Sequence, residues 1–189
     1  MVLPNASALS TGVNPLRVKP ASCTLVACFA FAACAPALDW REISAEGTGL
    51  RVHLPCKPAR HARPVVLAGE RFEMNLLSCR AADATWALAW IAGADARKVS
   101  LLMDAWHTES VANVNGTTAE PLAFNLVGAT PQAHTGRWRV QGLRPDGSAV
   151  VQDFSVFSHG TSIFQATVLT SSSQRSAADH YIDSLSFKP

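Results

Sequence analysis

Six histidines and five cysteines are the residues of this sequence with the most distinctive chemistry, and their spacing decides what that chemistry is. Ser158-His159 with Ser162 nearby puts a hydroxyl beside an imidazole. A serine nucleophile also needs an elbow such as Gly-x-Ser-x-Gly and an orienting acid, and neither accompanies it, so His159 reads as a turn residue. His107 and Glu109 lie two positions apart, which on a helix points them to different faces, so a solvated helix surface is expected there in place of a ligand pair. His180 beside Asp179 reads as exposed, and His134 before Thr135-Gly136 as loop surface. No Cys or His pair has zinc-finger spacing, and Cys-x-x-Cys and glycine-rich phosphate motifs do not occur. The expectation is a non-enzymatic chain with no catalytic residue, metal or cofactor.

The cysteines divide into two groups. Cys23, Cys28 and Cys34 lie in an apolar run, whereas Cys56 and Cys79 stand in the later, mixed sequence. Two thiols in an oxidising compartment point to one disulfide, Cys56–Cys79. Their flanks, Leu50 to Leu54 and Arg71 to Cys79, read as strands, and neighbouring strands bring Cα atoms to the roughly 5.5 Å that a disulfide needs. A second chemical feature is the run Arg51, His53, Lys57, Arg60, His61, Arg63, which contains no acid. Arg51, Lys57, Arg60 and Arg63 are candidate contacts for anionic lipid headgroups or an acidic partner, with Glu70 and Glu73 as the acids that would balance them across a sheet.

The compartment follows from the first 37 residues. Arg17 and Lys19 are their only charges, and Ala21 to Ala35 is an apolar stretch of signal-peptide length, shorter than the roughly 20 residues of a membrane span. Ala35-Pro36-Ala37 suits ordinary signal cleavage before Leu38 and release into the periplasm. Phe31-Ala32-Ala33-Cys34 suits a lipobox, with Cys34 lipidated and the protein tethered to a membrane face. The basic region before the apolar run is long, which also suits a start at a later codon. Residues 38–189 carry 14 basic and 14 acidic groups, and so lack the positive field that nucleic-acid binding requires. Hydrophobic residues make up 48% and charged residues 16%, enough apolar surface to offset the entropy of ordering one domain.

The elements that must position these residues are read from periodicity. Trp40 to His53 reads as an opening strand and Pro55 to Pro64 as a loop. Residues 65–92 read as a two-stranded hairpin turning near Ala81 to Asp83. Asp95 is placed to cap a helix with the stripe Val99, Leu102, Met103, Trp106, ending by Asn115-Gly116. Leu122 to Leu126 is a connector. Arg137 to Leu143, Ala149 to Phe157 and Ser162 to Thr170 then form a meander, with Asp146-Gly147 suggesting a type I′ turn. A closing helix carries Ala178, Tyr181, Ile182 and Leu185 on one face. The result is an α+β fold, a mostly antiparallel sheet of about six strands flanked by helices. Trp86, Trp90, Trp106 and Trp138 belong in its core, Trp40 needs a packing site or a partner, and a ligand groove is expected between the sheet and the first helix.

This order resembles the PsbP-like proteins. The matching residues are Leu54-Pro55, where that family often has Phe-Pro, the Arg144-x-Asp146-Gly147 turn of the meander, Gly160 to Gln165 and Ile182 to Phe187. The resemblance implies an α/β/α sandwich over residues 38–189 and a binding or assembly-assisting module without shared site residues. Together these readings predict an exported binding module of the bacterial envelope that engages another envelope protein, or else a lipid or small-ligand carrier using the sheet–helix groove. A small hydrolase built on His159 or His107 ranks below both.

Overall fold

In the computed structural model, which describes residues 37–171 and 175–188, every long hydrophobic alternation of the sequence has become a strand of one antiparallel sheet. The leader through Pro36, including Cys34 and its lipobox, lies outside the described residues. Strands β1 (Arg41–Ser44) and β2 (Leu50–Leu54) form a hairpin joined by the short β10 (Ser186–Phe187) in a three-stranded sheet. The large sheet contains β3 (Ala59–Leu67), β4 (Glu70–Ala81), β5 (Ala84–Ile91), β6 (Ala119–Leu122), β7 (Gly136–Leu143), β8 (Ala149–His159) and β9 (Ser162–Thr170), in the order β3-β4-β5-β9-β8-β7-β6. Helix α1 (Val99–Ala112) packs on one face, and the small sheet with α2 (Arg175–Asp183) on the other. The α+β class, the helices and the meander are as expected, but the described residues form ten strands instead of about six.

The opening stretch Trp40 to His53, expected as one strand, is the two strands β1 and β2, and the other three additional strands are those with weak local signals. Residues 59–64, expected as the end of a loop, join 65–67 in the edge strand β3, paired with β4 from Ala59↔Ser78 to Leu67↔Glu70. Charged residues and Pro64 disguised it, yet an edge strand is where both are tolerated, because one side of its backbone faces water. The short β6 and β10 lack enough residues to show a period. The meander turn also differs. Only Gly147 of the Pro145-Asp146-Gly147 loop has positive φ, and its N–H donates to the Arg144 carbonyl at 2.9 Å, so this is a type I turn with a glycine bulge. Asp95 does not cap α1. Its carboxylate accepts from the Arg97 N–H at 2.9 Å, closing a turn ahead of the helix, whose N-cap is Lys98.

Two apolar cores stabilise the sandwich. On one face Leu50, Val52 and Leu54 of β2 and Tyr181 and Ile182 of α2 cover Trp86, Leu88, Phe157 and Phe164. Each such aliphatic side chain, fully buried, contributes about 1.5–3 kcal/mol. The Tyr181 hydroxyl donates to the Ala87 carbonyl at 2.6 Å, which satisfies the one polar atom of a ring whose burial pushes its pKa far above the usual range. Trp40 finds its packing site here, edge-on to Trp86 with centroids 5.7 Å apart. On the other face α1 sets Val99, Leu102, Met103 and Trp106 against Phe154, Val156 and Ile163. Gly142 permits the chain leaving α1 to close on β7, since a Cβ there would lie 2.0 Å from the Val114 oxygen.

The disulfide forms between Cys56 and Cys79, with Cα atoms 6.0 Å apart. Its two strands are not neighbours in one sheet, as the sequence had suggested. Cys56 follows β2 of the small sheet and Cys79 lies on β4 of the large one, so the bond fastens two layers together.

His107 is a correction. Instead of a solvated surface residue it is half-buried against Trp138 and Phe154, with ring centroids at 4.5 and 5.6 Å, and its Nε2 is buried without a partner. Burial lowers its pKa below the ordinary 6.5, Asp104 opposes that shift and His134 adds to it. The unfolded chain, titrating near 6.5, therefore binds the proton more readily than the folded one. This part of the stability is complete above pH 6.5 and is lost as the pH falls through the depressed value. The urea midpoint should drop between pH 7.5 and pH 5, and H107F, which keeps the packing, should drop less. Parallel pH profiles for the two proteins would show that His107 is not the group responsible.

Candidate ligand-binding site

Strand β5 has unequal faces. Trp86, Leu88 and Trp90 point into the core under α2, whereas the alternate positions on the α1 side are Ala87 and Ala89. Methyl groups there leave space that the larger side chains fill on the opposite face. The outcome is a cleft of about 410 Å³ between α1 and the sheet. Ala87, Ala89, Leu76 and Thr167 contribute to its floor, Val65 and Leu67 of β3 form one wall, and Trp106 and Ser110 of α1 form the other.

Polar groups also line the cleft, among them Ser110, Gln152 and Gln165. The Gln165 side-chain N–H donates to Ser110 Oγ at 2.6 Å, and that hydroxyl donates to the Trp106 carbonyl at 2.6 Å. The serine hydrogen is thus committed within the helix, while the Gln165 carbonyl stays available. Gln152 also lines the cleft. It is 3% exposed, and its amide makes no side-chain hydrogen bond among the described residues.

The basic run is dispersed by the fold. Arg51 on β2 pairs with Glu42 at 3.1 Å and Arg60 on β3 with Glu46 at 4.0 Å, while Lys57 and Arg63 have no ion pair among the described residues. The expected balancing acids do not serve them, since Glu70 is held by Lys98 at 2.6 Å. Of the four candidate anion contacts, only Arg63 lines the cleft. A hollow of about 440 Å³ formed by other residues of β3 and β4 holds the Arg60–Glu46 pair and offers a ligand less.

The histidines fall into separate groups, with His53 and His180 at a ring-centroid distance of 5.8 Å and His107 near His134. His159 Nδ1 lies 2.7 Å from the Gly128 carbonyl and its ring stacks on Phe187, while Ser158 is fully buried on the opposite side of the strand. His180 lies over Trp40 with centroids 4.3 Å apart, and His134 faces Asp104 at 3.5 Å. Among the described residues no three His, Cys, Asp or Glu side chains gather as metal ligands do.

The sequence reading missed a buried ionic cluster on the α2 side of the sheet. Arg139 of β7 makes a two-pronged bond to Asp153 of β8, with its closest approach at 2.8 Å. Arg137 reaches the same Asp153 at 3.6 Å and Asp179 of α2 at 2.7 Å. The signal was present: Arg137-Trp138-Arg139 places two charges on one face of a strand, with Asp153 inside the apolar run of the next. No protein-family model matches this chain, and no curated protein matches it either.

Proposed function

We propose that this chain is an exported, non-enzymatic binding protein that carries a small amphipathic ligand in the cleft between α1 and the large sheet. The observation that carries this reading is the cleft itself, of about 410 Å³, with an apolar floor that includes Ala87, Ala89 and Leu76 and with polar groups such as Gln152 and Gln165 at its lining. Small-molecule sites typically measure roughly 300–1,000 Å³ and combine apolar walls with a few placed polar groups. A volume near the low end suits a ligand with a single chain or ring system. Export rests on the basic and apolar leader of residues 1–37, with the mature protein either soluble or anchored through Cys34. The PsbP-like resemblance of residues 38–189 supports a binding role in the same direction. An envelope protein is the partner this reading expects, as donor or acceptor of the carried molecule. No helix among the described residues is long and apolar enough to cross a membrane.

The test uses N-phenyl-1-naphthylamine, a neutral apolar dye whose emission rises when it leaves water. The wild-type protein should bind it at micromolar concentration. A89F, which fills the floor of the cleft, should weaken binding by at least about tenfold, or 1.4 kcal/mol, with an unchanged circular dichroism spectrum. A wild-type protein that leaves the dye dark, or an A89F variant that binds it equally well, would refute the carrier reading.

A further inference from the structure

The cleft has a charged end, and its position selects among amphipathic ligands. Residues 61, 63, 65 and 67 of β3 alternate onto the α1 side of the sheet, opposite Leu76, Met74, Phe72 and Glu70. Val65 and Leu67 therefore form the apolar wall while Arg63, exposed, lines the same cleft. Arg63, like Lys57, is not held by a carboxylate among the described residues, and of the basic run it is the one that lines this cleft. Arg51, Arg60 and Lys98 each face a carboxylate at 4.0 Å or less, whereas Arg63 has no such partner among the described residues. Arg63 is the one cation that lines the cleft, and its guanidinium offers paired donors to a carboxylate.

The far end of the channel is of a different kind. Gln152 and Leu169 lie on β8 and β9, so the cleft crosses from β3 over β4, β5 and β9 to β8. Four inter-strand steps of about 4.8 Å make that span roughly 19 Å, the reach of one extended chain with its head group. Glu109 of α1 is the one acid that lines the cleft, and it lies beyond 4.0 Å from Arg63, so it leaves the guanidinium free and directs an anionic head toward β3.

We propose that the ligand is a single-chain anionic amphiphile of the fatty-acid class, its carboxylate held by Arg63 and its chain laid over Ala89 and Ala87 toward Gln152. This rests on the cleft being a ligand site, and the experiment separates the two claims. Decanoate, decan-1-ol and decyltrimethylammonium are each titrated against bound N-phenyl-1-naphthylamine at low salt. In the wild type, decanoate should displace the dye at about tenfold lower concentration than decanol, with the ammonium compound weakest. R63Q should bring decanoate to the level of decanol and leave decanol unchanged, and E109Q should strengthen decanoate further. Equal displacement by decanoate and decanol, or an R63Q variant that keeps the preference, would overturn the assignment of the anion while dye binding sustains the carrier reading. Failure of the dye to bind at all would end both. Arg63-dependent sedimentation with phosphatidylglycerol vesicles, without a preference for decanoate, would make Arg63 a membrane contact and also overturn the proposal.

Discussion

Replacing Asp153 with alanine should destabilise the protein by about 3–5 kcal/mol, the cost of removing one partner from a buried ion pair. Asp153 is 4% exposed, and it is the shared counterion of Arg139, at 2.8 Å, and of Arg137, at 3.6 Å. Without it Arg139 is left as an unpaired buried cation, and Arg137 keeps only Asp179 at 2.7 Å. The pair itself contributes far less net stability than its loss costs, because both ions were desolvated when it formed. The double variant D153L/R139M, which replaces charge with apolar volume, should therefore regain most of what D153A loses. Urea unfolding of the three proteins tests this. A D153A midpoint within 1 kcal/mol of wild type would mean that water reaches these arginines and that the cluster is not a buried one.

The disulfide should rank second. Cys56 and Cys79 are 23 residues apart, and closing a loop of that length lowers the entropy of the unfolded chain by an amount equivalent to about 3 kcal/mol. For a domain of this size that corresponds to a melting point lower by roughly 2–4 °C for each kcal/mol lost. C56A/C79A should show it without added reductant, and the wild type only after reduction. Because the bond ties β2 to β4, its loss should loosen first the core formed by Leu50, Val52 and Leu54. Faster hydrogen exchange confined to β1 and β2 in the reduced protein is the expected pattern. Exchange that rises equally throughout the large sheet would show the bond acting on the unfolded chain alone. Melting points that agree within 2 °C would contradict the entropic argument itself.

The legible parts of this fold were those whose pattern repeats within a dozen residues. Ser162–Thr170 and Val99–Ala112 alternate or recur with their own period, so local sequence is enough to recognise them. Strand β3 has no such pattern, because an exposed edge needs no buried face, and its basic residues with Pro64 look like a loop. His107 was misjudged for a related reason. Asp104, Thr108 and Glu109 beside it on the helix are polar, while the rings that enclose it, Trp138 and Phe154, arrive from strands more than 30 residues away.

The candidate site shows the same division. That β5 alternates large with small was written in Trp86-Ala87-Leu88-Ala89-Trp90, and a groove by the first helix was foreseeable from it. The residues that give the groove its chemistry were not. Gln152 and Gln165 look like ordinary polar positions in two strands, and Arg63 like one basic residue among several. By itself the sequence determined the alternating strands, the two amphipathic helices, the cysteines available for pairing and the neutral charge of residues 38–189. Only the tertiary structure decided that the disulfide joins two layers, that Arg137, Arg139 and Asp153 are buried together, and that Arg63 alone of its run lines the cleft beside α1. Periodicity is a property of neighbouring residues, whereas burial, empty space and the partner of a charge depend on the register between strands that sequence order keeps far apart.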